Sequence, residues 1–260
     1  MRIISTHDGL LRTLDAAELP QAPRGAFVTG LPALDAVAPA GGFARGAVHE
    51  LLSRPGQPAP LTPAALLAQA IQNPNPPSGV SIENRTSKFE TSAPWILWSD
   101  PCRRLYPPAL ARFISLDRLI LLRPPTPADE IWAITEALRC RAIGAAVASF
   151  ARLSRVEARR LQLAAERGGG AGIFLRPLDR FASTYAAATR WLVEPASPAS
   201  SSLKSGGFYQ RWMLQLLHGH GGQLSARILL EVCRETDRVR ATEVVVDRPA
   251  QATPALARSA

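Results

Sequence analysis

The sequence predicts an α/β fold: a mostly parallel sheet flanked by helices, with antiparallel strands toward the C-terminus. Two observations predict it. Between residues 47 and 176, strand-length apolar runs alternate with amphipathic segments that carry helix-start signals, the pattern of strand–helix–strand units with a sheet covered on both sides. From residue 189 onward the helical period disappears and strand-like runs follow one another through turn-rich segments, the pattern of antiparallel strands. A chain of 260 residues that is 47% hydrophobic and 20% charged can bury a full core, so one main domain is expected.

The elements follow in order. Residues 1–26 form an N-terminal helical or extended segment, and 27–247 the main domain. Its parallel strands are predicted at 47–52, at "WILWS" (95–99), "RLILLR" (118–123), "IGAAVAS" (143–149) and "GIFLR" (172–176). Thr62-Pro63 and Thr126-Pro127 each supply a capping hydroxyl and a proline for the first helical position. After Pro127, Asp129 and Glu130 suit the positive helix end, and Ile131, Ile134 and Leu138 share one face. Ser154-Arg155-Val156-Glu157 is a capping box, and Gly168-Gly169-Gly170 stops that helix. "TRWLVE", "QRWMLQLL", "RILLEVC" and "TEVVV" then make an antiparallel extension or a small terminal sheet. Two polar stretches rich in Pro, Ser, Asn or Gly, near 73–93 and 196–207, read as mobile loops, and 248–260 as a flexible tail.

The net charge is +9, and of the 30 basic residues only Lys88 and Lys204 are lysine. Arginine suits bidentate phosphate contacts, and a basic chain attracts polyanions. Nucleic-acid contact thus stands beside a merely solvated basic surface. The N-terminus lacks the apolar core of a signal peptide, and no run reaches membrane-spanning length. Cys102, Cys140 and Cys233 are odd in number and far apart, which argues against a disulfide framework and for a cytoplasmic protein with reduced thiols.

The segment "FVTGLPALDAVAPAGGFARGAVHELL" (27–52) resembles the entry to the RecA core, through Thr29, Gly30, Leu34, Asp35, Gly41, Gly42, Gly46 and Glu50. Together with "EALRCRAIGAAVA", "RRLQLAAERGGGAGIFLRP" and "AATRWLVEPA", it is similar to the ImuA family over roughly residues 27–247. Those are RecA-like accessory proteins of the bacterial damage-inducible mutagenesis cassette. The resemblance implies a RecA-like core and a role in error-prone translesion DNA synthesis during the SOS response. It also implies an ImuB-type Y-family polymerase homologue and a DnaE-type error-prone polymerase as partners. Such a protein is cytoplasmic and nucleoid-associated when engaged in repair.

A phosphate loop needs converging backbone N–H groups, a lysine on the β/γ oxygens and a hydroxyl on magnesium. "SRPGQPAPLTPAAL" (53–66) offers one glycine, four prolines and no lysine; each proline removes a donor. Thr62 reads as a cap before it reads as a magnesium ligand, and Arg54 precedes the turn. "IGAAVASF" ends in Ser149-Phe150 where the resemblance would place a Walker B aspartate, and Asp100 reads as a turn or cap residue. The expectation is a degenerate loop, no cofactor, no metal and no ATP hydrolysis. His218-Gly-His220 reads as a turn before it reads as a chelate, and no cysteine has a convincing histidine partner.

Basic residues are the better lead. Arg152, Arg155, Arg159 and Arg160 are the candidate nucleic-acid-binding residues, with Arg167 beside them; Arg152, Arg155 and Arg159 have the spacing to share a helix face. The loops with which RecA grips DNA are short here, "FARLS" and 177–184. Arg103, Arg104, Arg211 and Arg227 are basic positions without an assignment. Trp95 and Trp98 fall on opposite strand faces, while Trp191 and Trp212 pack in the core or offer an aromatic contact. The leading expectation is a non-catalytic adaptor. A direct DNA-binding protein, an SOS cell-division inhibitor-like protein and a divergent ATPase are the alternatives.

Overall fold

The computed structural model describes residues 3–7, 10–14, 25–73, 93–178, 186–196, 209–224 and 226–244. Most of the two predicted mobile loops, residues 179–184 of the second short loop, and the predicted tail lie outside the described residues. Near the N-terminus, β1 (Ile3–His7) pairs antiparallel with β2 (Leu10–Leu14), so the described part of that segment is extended. A second small pair, β3 (Ala26–Phe27) and β4 (Phe43–Ala44), brackets the short helix α1 (Pro32–Val37).

Among the described residues the main sheet has nine strands. Its parallel part comprises β5 (Val48–Ser53), β6 (Trp95–Ser99), β7 (Leu119–Leu122), β8 (Ile143–Ser149), β9 (Ala171–Pro177) and β10 (Thr189–Pro195). β11 (Tyr209–His218), β12 (Arg227–Cys233) and β13 (Val239–Val244) continue it as an antiparallel meander. The order across the sheet is β13-β12-β11-β10-β5-β9-β8-β6-β7. The C-terminal strands are thus an extension of the same sheet, joined through the antiparallel β10–β11 pair; "TRWLVE", expected among the antiparallel strands, instead runs parallel to β5 and closes the parallel part.

Strand alternation divides the core between two faces. Ile96, Trp98, Ala145, Val147, Ile173 and Leu175 pack on one side with α2 (Leu61–Gln72) and α1. Leu97, Ala146, Ala148 and Phe174 point the other way, against α4 (Pro127–Arg139) and α5 (Arg155–Gly168). The short α3 (Pro107–Leu110) follows β6. Trp98 is buried on the α2 side and Trp95 packs on the opposite side, where the Arg118 guanidinium lies 5.2 Å from its ring centre.

Local chemistry sets the helix ends. Thr126 Oγ1 accepts the Asp129 N–H, with Pro127 at the first position of α4. At α5, Ser154 Oγ accepts the Glu157 N–H and the Glu157 carboxylate accepts the Ser154 N–H at 2.8 Å, which closes the capping box. The Ser154 hydroxyl, which also donates to this carboxylate at 2.7 Å, and then the Ser154 N–H hold the Glu157 carboxyl below its usual range. Gly169 ends α5 at φ 83°. A Cβ on Gly168 would sit 1.9 Å from the Leu138 carbonyl oxygen, so this glycine lets the ends of α4 and α5 touch.

Two local readings are corrected, and one open alternative is decided. α2 begins at Leu61 with Pro60 before it, so Thr62 lies inside the first turn and is not the cap. Pro63 fits there because the first helical N–H groups have no intrahelical acceptor. The last strand begins at Val239, three residues before "TEVVV", because the hairpin pairs Val239 with Val232 and Val244 with Arg227. Residues 245 and 246 lie outside the described residues. Trp191 is fully buried, stacked at 5.5 Å on Phe43, and offers no aromatic surface to a base.

Candidate functional site: the strand-end crevice and the arginine groove

From β5 the chain moves outward to β6 and β7, returns through β8 to β9, and then crosses to β10 on the far side of β5. The strand order therefore reverses at β5, and α/β proteins place ligands beyond the carboxyl ends of the strands at such a reversal. Residues 54–60 fill this position, ahead of α2.

The donors available there are few. Pro55, Pro58, Pro60 and Pro63 have no N–H. The Gln57 N–H donates to Arg54 O and the Leu61 N–H to Ala59 O, both inside the turn. Arg54 forms an ion pair with Glu194 of β10. The Thr62 hydroxyl faces Gln210 Oε1 at 3.4 Å. Acidic groups near the strand ends are also engaged. The Asp100 carboxylate accepts the N–H groups of Arg104 and Leu105 at 2.8 and 3.2 Å, closing the turn in which Arg103 takes φ 54°. Ser99 Oγ donates to Glu130, whose carboxyl is raised from its usual range by burial. Ser149 and Phe150 occupy the end of β8.

Below this crevice lies a buried ionic triad. The Glu50 carboxylate accepts from Arg176 Nη1 of β9 at 2.6 Å and from Arg190 Nε of β10 at 2.8 Å. Glu50 is 1% and Arg176 5% exposed. Next to it on β5, His49 is enclosed by Phe27 and Phe43. Its Nε2 lies 2.9 Å from Ala44 O, an obligate acceptor, so Nε2 carries the proton. Nδ1 then accepts from Thr189 Oγ1 at 2.8 Å, and Thr189 Oγ1 accepts from Trp191 Nε1 at 3.0 Å. Burial holds the His49 imidazole down at about 4. These pairs tie β5 to its two neighbours.

The other motif residues also make local bonds. Asp35 accepts from Thr29 N–H and Oγ1–H, each at 2.8 Å, and from Gly30 N–H at 3.1 Å. Leu34 is buried on the sheet. Gly41 and Gly46 turn the chain at φ 72° and 65°, and a Cβ on Gly42 would meet Phe27 O at 2.7 Å.

The second site is on the opposite helical layer. α5 buries Ala158, Leu161, Ala164 and Ala165 and turns its arginines outward. Its capping box starts the helix at Arg155, so Arg152 precedes it and the expected spacing of a shared face does not apply. Arg155, Arg159 and Arg160 do gather in one open groove, joined by Arg167 and by Arg139 from the last turn of α4. Arg139 was not among the sequence candidates; packing α4 against α5 brings it there. Exposed Val156 and Leu163 line the same groove. Arg139 pairs with Glu136 at 2.7 Å and Arg159 with Glu166 at 3.9 Å. Arg211 lies elsewhere, paired with Glu231 at 2.5 Å, and Arg103, Arg104 and Arg227 are exposed outside the groove.

His218 and His220 stack edge to face at 5.6 Å. Among the described residues no three His, Cys, Asp or Glu side chains are grouped to hold a metal. Cys102 is exposed, Cys140 half-buried and Cys233 buried, all as free thiols. No described helix is long and apolar enough to cross a membrane.

No protein-family profile matches the chain. Two curated proteins are similar to it, each called Protein ImuA, from Caulobacter vibrioides strains NA1000 / CB15N and ATCC 19089 / CIP 103742 / CB 15. Each is 28% identical over 210 residues, covering 77% of this chain and 81% of the relative.

Proposed function

We propose that this protein is a non-catalytic, RecA-like accessory protein of an error-prone translesion DNA synthesis complex, active in the SOS response to DNA damage. It acts as an adaptor between an ImuB-type Y-family-like protein and a DnaE-type polymerase, and joins the nucleoid when that complex works on DNA. The observation that carries this reading is the similarity to the ImuA proteins over 77% of the chain. The fold supports the RecA-like part: a central first strand, a turn and a helix stand where the strand order reverses, the placement of a nucleotide-binding loop.

The chemistry of that loop supports a non-catalytic role. Its prolines remove donors, Arg54 is drawn to Glu194, and no lysine lies between β5 and α2. The sheet is kept while its phosphate cradle is degraded, which suits a scaffold for protein contact. Co-purification with an ImuB-type protein is the test. A stable complex at micromolar concentration is expected; no complex under those conditions overturns the adaptor role.

A further inference from the structure

The groove between α4 and α5 combines exposed aliphatic side chains with a rim of arginines. Val156 is 79% and Leu163 38% exposed. They stand seven residues apart on α5, about 10 Å along its axis, and both line the groove. Around this aliphatic floor stand Arg139, Arg155, Arg159, Arg160 and Arg167. Two carboxylates, Glu136 and Glu166, answer them. Arg155, Arg160 and Arg167 form no ion pair among the described residues.

We infer that this groove docks an acidic amphipathic α-helix of a partner protein. α5 runs for 14 residues, about 21 Å, which matches a partner helix of roughly four turns laid along it. Such a helix presents aliphatic anchors at i, i+3, i+4 and i+7 on one face and flanks them with Asp and Glu. Its apolar stripe covers Val156 and Leu163, and its carboxylates take the arginine forks in paired hydrogen bonds.

Nucleic acid fits the rim and not the floor. Phosphates engage the guanidinium groups but leave Val156 and Leu163 uncovered, and among the described residues no aromatic side chain lines the groove to stack a base. Residues 245–260 carry Arg248 and Arg258 against Asp247, the wrong balance of charge to answer an arginine rim.

This inference rests on reading the chain as a protein-contact adaptor, and its test uses no component of the polymerase complex, so the two can fail separately. A fluorescent 21-residue helical peptide with leucine anchors on one face and glutamate elsewhere is titrated with the full chain. A single-stranded and a duplex oligonucleotide serve as parallel probes. Salt-sensitive peptide binding is expected, weakened about tenfold or more by combined Arg155→Glu and Arg160→Glu. Val156→Ser removes an exposed methyl pair, leaves the core untouched, and weakens the peptide several-fold while leaving any oligonucleotide binding unchanged. No peptide binding at millimolar concentration overturns the inference. So does oligonucleotide binding that is tighter than the peptide's and depends on the same arginines.

Discussion

Glu50 and Arg176, 126 positions apart in the chain, meet in a buried ion pair at 2.6 Å, with Arg190 on the second carboxylate oxygen at 2.8 Å. The three residues link β5 to both of its neighbours beneath the strand-end crevice. Burying charge is costly, and the geometry offsets that cost only while all partners are present.

Glu50→Ala is therefore expected to cost about 3–5 kcal/mol, because it leaves two guanidinium groups without their carboxylate. Urea denaturation at neutral pH measures it. Replacing Glu50, Arg176 and Arg190 together by apolar residues of similar volume is expected to recover most of the loss. A single substitution costing under about 1 kcal/mol would show that the triad adds little.

His49 makes stability depend on acid. Its imidazole stays neutral in the fold down to about 4, against an ordinary value of 6.5. Between those values the unfolded chain binds a proton that the folded chain refuses. The contribution is complete above pH 6.5 and is lost as the pH falls toward 4, on the order of 3 kcal/mol in all. Denaturation curves at pH 7 and 4.5 check the sign. His49→Gln, compared across the same pH values, is expected to lose this part of the slope.

Leu61 opens α2 and is 41% exposed, near where a phosphate-loop lysine would stand. Leu61→Lys is expected not to restore ATP binding, since the lysine returns a charge but not the N–H groups removed by Pro55, Pro58 and Pro60. Calorimetric titration with Mg-ATP checks it, and micromolar affinity in the variant would show an intact cradle. The unaltered protein is expected to show no ATP hydrolysis; turnover abolished by Asp100→Ala would overturn that.

Much of the fold is legible in the chain because its signals are local. The strands at 95–99, 143–149 and 227–233 match their apolar runs to the residue. α4 and α5 start where a hydroxyl and a carboxyl can answer the first N–H groups. Thr62-Pro63 carries the same signal as Thr126-Pro127, yet Pro60 lets α2 begin earlier. The start of β13 was hidden because Val239–Ala241 is held by pairing with β12 and not by its own composition.

The sequence alone determined the alternation of strands and helices from β5 to β9, the end of the helical pattern near residue 189, and a proline-rich, lysine-free turn after β5. Tertiary structure decided which distant side chains meet. Glu50 was visible as a motif residue, but Arg176 and Arg190 reached it only when β9 and β10 settled on either side of β5. Arg139 joined the α5 arginines only because Gly168 allows the two helix ends to touch. Caps and apolar periods act within a few residues and can be read along the chain. Ion pairs and grooves form between elements that only the packed sheet brings within reach.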